Sequence, residues 1–262
     1  MRVFRHELQQ NRKLLMIWTA VVAGMIFIIM LIFPQMESQV EDMTDLFANM
    51  GGFSAAFGMD KISFATPMGF YGVEAGAMIA IGGGMLAAIL GGNVLCKEEG
   101  NHTAEFLLTM PMRRENIALQ KLAAAAVMTV IFNAVCMGLG IAAFIAVGEE
   151  VAWKEFLLYH LAQTLMQLEI GALCFCLSAF MRKVSMGVGI GAAMLFYFLQ
   201  LFVNVTDKLE WLKYVTPYYY SDAGNIFPQA SVEWGLVILG MGYAAAAAVI
   251  GVIQYGRKDL AV

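Results

Sequence analysis

Charged residues are scarce in this sequence. Asp, Glu, Lys and Arg make up 14% of the 262 residues, whereas hydrophobic residues make up 60%. An ordinary soluble domain carries about 25% charged residues. The shortage of charge therefore predicts a membrane protein before any motif is considered.

The signature motifs of several enzyme classes are also missing. The sequence has no G-x-x-x-x-G-K-[ST] stretch, which predicts that this chain does not bind ATP through a P-loop. It has no H-E-x-x-H stretch and no serine in a G-x-S-x-G setting. The histidines, His6, His102 and His160, lie in three separate segments, and the four cysteines lie in or beside apolar runs. We therefore predict no metal site, no disulfide framework and no catalytic site in this chain.

Six long apolar runs are present, and each is long enough to cross a hydrocarbon core of about 30 Å as a helix. We place the spans at approximately 14–33, 71–96, 122–148, 156–181, 184–206 and 232–256. Long helical spans predict an all-α membrane protein rather than a barrel, whose strands are short and alternate in polarity. No low-complexity linker or repeat divides the chain, so residues 1–262 are predicted to form one transmembrane domain.

The distribution of Lys and Arg predicts the orientation. If the N-terminus is cytoplasmic and the chain crosses six times, the cytoplasmic segments hold 12 of the 16 basic residues and the external segments hold 4. Basic residues in short loops favour the cytoplasmic side. Both termini and the segment between spans two and three are therefore predicted to be cytoplasmic.

Three segments outside the spans carry patterns of their own. Residues 2–13 are predicted to form a short helix at the inner membrane surface. Residues 34–70 are predicted to be an external loop with an amphipathic helix, which either rests on the membrane or covers an exit path. Residues 207–231 are predicted to be a second external loop with an aromatic belt at the membrane interface, and cargo contact is the alternative. The apolar side of the amphipathic helix comprises Met36, Val40, Met43, Phe47 and Met50, and the belt comprises Trp211, Tyr214, Tyr218, Tyr219 and Tyr220.

The cytoplasmic segment "KEEGNHTAEFLLTMPMRRENIALQK" (97–121) has charges at both ends and an apolar centre. Thr103 is a suitable N-cap, Glu105 lies in the first turn, and Pro111 ends the helix that would follow. This short helix would present an apolar surface comprising Phe106, Leu107, Leu108 and Met110. Apolar surface surrounded by charge is typical of a protein contact. The alternative is that the helix folds back onto the lipid headgroups.

This segment resembles the E-x-G-T-x-E-x-L-L-x-x-P-x-x-R-x-x-I-x-x-x-K stretch of ABC-2 type permeases, also called type V ABC exporters. Two residues separate Gly100 from Thr103 here, so the local spacing of the glycine differs from the commonest pattern. The tail "YGRKDL" (255–260), the start "FRHELQQNRKLLMIW" and the stretch "YGVEAGAMIAI" are similar to that family as well. The matching positions are Glu99, Thr103, Glu105, Leu107, Leu108, Pro111, Arg114, Ile117 and Lys121.

The resemblance implies a function and a set of partners. Residues 98–117 would be a coupling helix that docks on a separate ATPase subunit, present in two copies, which binds the ATP and Mg²⁺. A second permease subunit, identical or homologous, would complete the pathway in the lipid bilayer, and nucleic acid is not expected. The protein would be a multi-pass bacterial plasma membrane protein that exports a peptide, antibiotic, lipid or other amphiphile. The residues expected to contact the ATPase are Glu99, Thr103, Glu105, Phe106, Leu107, Leu108, Pro111 and Arg114.

Polar residues within the spans are candidates for the pathway or for a subunit seam. Glu169 lies near the middle of the fourth span, where a charge costs about 2.5–3.5 kcal/mol on insertion scales. Helical spacing places His160 and Gln167 on one side of this span and Glu169 on the opposite side. Glu169 is either a cargo-facing or proton-sensitive carboxylate or a hydrogen-bonded structural residue. Glu74, near the outer end of the second span, can reach the interface.

Two other classes of function remain open at this stage. One is a membrane sensor or assembly subunit that uses the same cytoplasmic segment to hold a partner without moving cargo. The other is an intramembrane enzyme that uses Glu169 together with His160, although their placement on opposite sides of one helix counts against a joint active site.

Overall fold

The computed structural model describes residues 2–48, 51–100 and 112–258, and for residues 37–48 it describes the backbone. All regular elements in these ranges are helices. Six of them are long and apolar enough to cross a membrane. We number these α1 (Arg2–Ala48), α2 (Pro67–Asn93), α3 (Arg114–Val147), α4 (Trp153–Phe180), α5 (Met186–Val205) and α6 (Trp234–Arg257). The prediction of an all-α membrane protein with six spans is confirmed.

The ends of the helices follow from local sequence. α2 begins at Pro67, and the Thr66 side chain caps it by accepting a hydrogen bond of 3.1 Å from the Gly69 amide. α3 ends at Val147, and Gly148 follows it with a φ of 85°, a left-handed conformation that glycine adopts readily. α3 begins at Arg114, eight residues before the predicted span, because the polar stretch 114–121 continues the helix beyond the apolar run.

The prediction of a separate surface helix at residues 2–13 is wrong. α1 is one continuous helix from Arg2 to Ala48, and no glycine or proline interrupts it before Gly24. Val3 and Glu7, one turn apart, are both buried, so this part of the helix packs against protein. The helix also continues through Pro34 into the predicted loop 34–70. The amphipathic helix expected there is thus the end of α1, and its side chains beyond Met36 lie outside the described residues.

The centre of the bundle is formed by α2 and α4, whose apolar stretches are the most enclosed. α1 packs lengthwise on α3, while α4 packs on α2 on one side and on α6 on the other. Glycines let neighbouring side chains reach the backbone of α2. The Trp18 indole donates a hydrogen bond of 2.8 Å to the Gly82 carbonyl oxygen, and the Gln167 side chain occupies the space where Gly83 lacks a Cβ.

The second predicted loop, residues 207–231, is only partly an external loop. It begins with a 3-10 helix at Asp207–Tyr214, in which Trp211 and Tyr214 are exposed as an interfacial belt requires. Residues 215–231, which we call the re-entrant segment, then turn into the bundle. Tyr218 and Tyr220 are 3% and 2% exposed, so they are not part of the belt. The belt prediction is wrong for these two tyrosines, because the Tyr218 hydroxyl lies in the space where Gly84 of α2 lacks a Cβ and the Tyr220 hydroxyl donates a hydrogen bond to Glu169 of α4.

The depth of the re-entrant segment follows from its contacts with α4. The Gln163 side-chain amide donates a hydrogen bond of 2.9 Å to the Ser221 carbonyl oxygen. Gln163 lies ten residues after the start of α4 at Trp153, which is about 15 Å along a helix. The segment therefore reaches well below the ends of the spans.

Candidate functional site

Six ionic side chains form a buried cluster at the end of the bundle where the chain begins. We call it the ionic cluster. It contains three carboxylates and three ammonium groups, so its formal charge is zero. Its members come from four parts of the chain: Glu7 of α1, Lys97, Glu98 and Glu99 of the short helix Lys97–Gly100, Lys121 of α3, and Lys258 just after α6.

Glu7 and Lys121 form the centre of the ionic cluster. Their side chains are 1% and 0% exposed, and Glu7 Oε1 lies 3.0 Å from Lys121 Nζ. The other Glu7 oxygen, Oε2, accepts a hydrogen bond of 2.5 Å from Lys97 Nζ. Lys121 also pairs with Glu98 and donates a hydrogen bond of 2.7 Å to the Val94 carbonyl oxygen. Each buried charge therefore has an opposite charge in contact, as burial requires.

The remainder of the ionic cluster attaches the C-terminal end of α6. Lys258 Nζ pairs with Glu99 and donates a hydrogen bond of 2.5 Å to the Met181 carbonyl oxygen. The Lys258 carbonyl oxygen accepts a hydrogen bond of 2.7 Å from Arg114 Nη1, at the first turn of α3. The end of α6 is thus joined to both the short helix Lys97–Gly100 and the start of α3.

Helical spacing places these charges in the interior. Glu7 lies one turn after the buried Val3 on α1, and Lys121 lies one turn after the buried Ile117 on α3. Val3 and Ile117 belong to an apolar cluster that also contains Phe175. Each helix therefore has an apolar residue and an ionic residue on the same side, and the two sides face each other.

The ionic cluster holds both flanks of residues 101–111. Glu99, on one flank, and Arg114, on the other, are the only predicted coupling residues within the described ranges. The other predicted coupling residues, Thr103, Glu105, Phe106, Leu107, Leu108 and Pro111, lie outside them. The contacts of Glu99 and Arg114 meet at one residue, Lys258.

The predicted pathway residues of α4 lie on two sides of that helix, and both sides are buried. On the side facing α2 and α3, His160 Nε2 is 2.9 Å from the Tyr71 hydroxyl oxygen, and Gln167 Oε1 accepts a hydrogen bond of 2.7 Å from the Asn133 amide. Gln167 also donates a hydrogen bond of 3.2 Å to the Ile79 carbonyl oxygen. This side forms a network of hydrogen bonds among three helices.

Glu169 lies on the opposite side of α4, facing α6 and the re-entrant segment. Its Oε2 atom accepts a hydrogen bond of 2.9 Å from the Tyr220 hydroxyl group. The carboxylate occupies the space left by the missing Cβ of Gly240 on α6. Glu169 and His160 thus have separate partners. Glu74 belongs to neither of these two sets of contacts. It lies half-buried in a π-helical turn, Tyr71–Ala75, near the N-terminal end of α2.

Comparison with known proteins decides the family. The sequence pattern of the family described as "ABC-2 family transporter protein" matches residues 1–260, nearly the whole chain. The chain belongs to the ABC-2 transporter family. A comparison with curated proteins gave no significant match. As a member of this family with six apolar helices, the chain is a multi-pass membrane component of a transporter.

Several residues of this ABC-2 family protein that emerge from the structure were not predicted as site residues. Glu7, Lys97, Glu98 and Lys258 complete the ionic cluster, and the signal for them was present, since charges flank the apolar centre of 97–121 and follow the last span. Asp222 of the re-entrant segment carried no such signal, because its neighbours in sequence suggest an interfacial loop. Its burial raises the pKa of the Asp222 carboxyl above the ordinary value of 3.8, against the opposing effect of a hydrogen bond from Asn204.

Proposed function

We propose that this chain is the permease subunit of an ATP-driven exporter, and that residues 98–117 couple it to a separate ATPase subunit. The observation that carries the proposal is the ionic cluster, which ties both flanks of 101–111 to α1, α3 and the end of α6. A force applied to 101–111 would act on these three spans through buried ion pairs. Such contacts resist separation, because a buried charge that loses its partner costs about 3–5 kcal/mol.

The full assembly in this proposal has two ATPase subunits, which bind ATP and Mg²⁺, and two permease subunits in a bacterial plasma membrane. Closure of the ATPase pair would move 98–117 and reshape a pathway between the two six-helix halves. The cargo would be a peptide, antibiotic, lipid or other amphiphile. Family membership and the absence of a P-loop motif support a permease whose energy comes from a partner.

Co-purification in mild detergent from the native host tests this proposal. We expect a P-loop ATPase to accompany the wild-type chain and to be lost from a Glu105→Arg/Leu108→Asp variant, because the variant reverses a charge and places a second one on the apolar contact surface. The matched control is Glu210→Arg/Trp211→Asp, which makes the same kinds of change at exposed positions on the 3-10 helix. This control should retain the ATPase.

Two outcomes would contradict the proposal in different ways. Absence of an ATPase from all samples, under conditions that keep other membrane complexes intact, would overturn the coupling role of 98–117. Retention of the ATPase together with a failure of ATP to drive any cargo movement would favour the sensor or assembly subunit. The enzyme alternative is weakened by the geometry, since Glu169 and His160 face different neighbours.

A further inference from the structure

One side of α1 near its N-terminus carries exposed basic residues. We call it the basic stripe, and it comprises Arg5, Gln9, Arg12 and Lys13, all of which are exposed. Steps of three and four residues place these side chains on the same side of the helix. Val3 and Glu7, on the opposite side, are buried. Within the described residues, none of the three cations of the basic stripe forms an ion pair.

Contacts with a neighbouring helix fix the depth of the basic stripe. Lys121 contacts both Glu7 and the carbonyl oxygen of Val94, the residue after α2, so Glu7 lies level with the end of that span. Arg12 and Lys13 follow five and six residues later on α1, which places them about 7–9 Å further into the bundle. The two cations therefore lie inside the level at which a neighbouring span ends.

The surface beside the basic stripe is apolar. α1 and α3 both begin at the ionic cluster and pack lengthwise on each other. The Phe4 amide donates a hydrogen bond of 3.4 Å to Gln120 Oε1, so the basic stripe runs beside the part of α3 that follows residue 120. This part of α3 exposes apolar side chains to the surroundings, as expected of a surface in contact with lipid tails. From 119 to 131 the exposed residues of α3 are Leu119, Ala123, Val127, Val130 and Ile131.

Few acidic groups compete for the basic stripe. Glu7 is the only acidic residue of α1 before residue 37, and it is buried in the ionic cluster. Glu98 and Glu99 are paired with other lysines of that cluster. The exposed Glu115, in the first turn of α3, lies beside Gly256 of α6. The negative charges at this end of the bundle are thus engaged elsewhere, and the basic stripe keeps its positive charge.

The depth and the charge of the basic stripe restrict its partner. A soluble protein such as an ATPase does not reach Arg12 and Lys13 inside the level of the span ends. A second copy of the chain in a symmetric contact would place one basic stripe against another, and like charges repel. Helical side chains lean toward the N-terminus of their helix, so these two cations extend back toward the nearer membrane surface. Lipid phosphate groups lie at that level.

We propose that the basic stripe binds the headgroup of an anionic phospholipid in the leaflet at the ionic-cluster end. The lipid phosphate would accept hydrogen bonds from Arg12 and Lys13, and Arg5, two turns nearer the N-terminus, would add its charge. The acyl chains would lie along exposed apolar residues such as Met16 and Val127. A zwitterionic lipid fits less well, because the basic stripe repels its ammonium group. This inference does not depend on the ATPase partner or on the direction of transport.

Native mass spectrometry of the purified chain tests the inference. The chain is released from detergent micelles that contain equal amounts of phosphatidylglycerol and phosphatidylcholine, and the lipids that remain bound are counted. We expect a preference of about tenfold or more for phosphatidylglycerol, since each cation near the surface adds to the attraction. Equal retention of the two lipids would overturn the proposal. Displacement of phosphatidylglycerol by an equal concentration of inorganic phosphate would also overturn it, because a free anion would then suffice.

Three double variants locate the effect. Arg12→Gln/Lys13→Gln removes two exposed charges and should lose the preference, whereas Arg12→Lys/Lys13→Arg keeps both charges and should retain it. The matched control is Arg182→Gln/Lys183→Gln, which removes an exposed basic pair between α4 and α5 at the same end of the bundle, and it should bind as the wild type does. An unchanged preference in the first variant would place the lipid elsewhere and overturn the proposal. An equal loss in the control would show that only total charge matters, and would overturn it too.

Discussion

Single buried charges determine much of the local behaviour of this protein. Lys121 is fully enclosed between α1 and α3, yet it contacts Glu7, Glu98 and the Val94 carbonyl oxygen. Burial of an ammonium group is costly, and these contacts offset that cost only while all partners remain in place. The position therefore tolerates little change, because lysine is almost never fully buried unless it is paired.

Replacement of Lys121 by Met is expected to destabilise the protein by about 3–5 kcal/mol, because the change leaves the ionic cluster with a buried excess negative charge. Met keeps a flexible side chain of similar length, so the loss of stability reflects the missing charge more than a change in packing. The measurement is equilibrium unfolding in detergent, followed by circular dichroism.

Two further variants show whether the loss is due to the charge. Lys213→Met removes a lysine whose partner, Glu210, is exposed, and should change the stability far less. The double variant Glu7→Gln/Lys121→Met removes one charge of each sign and should recover part of the stability. If the Lys121→Met variant were as stable as the wild type, the ionic cluster would have no part in holding α1 to α3.

At the scale of whole elements, the long helices were predictable and the re-entrant segment was not. Length and hydropathy identify a span, because only a helix satisfies its own backbone hydrogen bonds in lipid. The re-entrant segment has an aromatic, partly polar composition, which is equally typical of an interfacial loop. Its burial depends on tertiary contacts such as those of Ser221 with Gln163 and Tyr220 with Glu169, which local sequence does not encode.

The candidate site likewise has a part that local sequence predicts and a part that it does not. Charges flanking residues 101–111 indicated a functional segment, but their pairing across α1, α3 and the end of α6 joins positions as far apart as 99 and 258. Such pairing depends on how the helices assemble. The continuity of α1 was also missed, because a polar start is equally consistent with a surface helix and with an extension packed on protein.

The re-entrant segment should make stability depend on pH through Asp222. Burial raises the pKa of this carboxyl in the folded protein above 3.8, its ordinary value, so the folded state favours the protonated form. This contribution to stability is fully present below the unfolded pKa and is lost as the pH rises through the folded pKa. The Asp222→Asn variant lacks the carboxyl and should lose this dependence.

Unfolding temperatures of the wild type and the Asp222→Asn variant, measured from pH 3.5 to pH 7, test this expectation. The stability of the variant relative to the wild type should increase as the pH rises across this range. A constant difference would mean that the Asp222 carboxyl has the same pKa in the folded and unfolded states. Comparison of the two proteins at each pH cancels the contributions of other carboxylates.

At the scale of the whole molecule, the charges divide between the two ends of the bundle. The N-terminus of α1, the short helix Lys97–Gly100, the start of α3 and the end of α6 meet at the ionic cluster, and the 3-10 helix Asp207–Tyr214 lies between the far ends of α5 and α6. Because the end with the ionic cluster carries most of the basic residues, we predict that it is cytoplasmic.

Labelling of single cysteines in intact cells with a membrane-impermeant maleimide tests this orientation. Background should be low, because Cys96, Cys136 and Cys174 are buried and Cys176 is partly so. Glu210→Cys, at the exposed 3-10 helix, should react in intact cells, whereas Arg5→Cys, on the exposed side of α1, should react only after the membrane is permeabilised. The reverse pattern would place the ionic cluster and residues 98–117 outside, where a cytoplasmic ATPase could not reach them, and the proposed coupling would then be wrong.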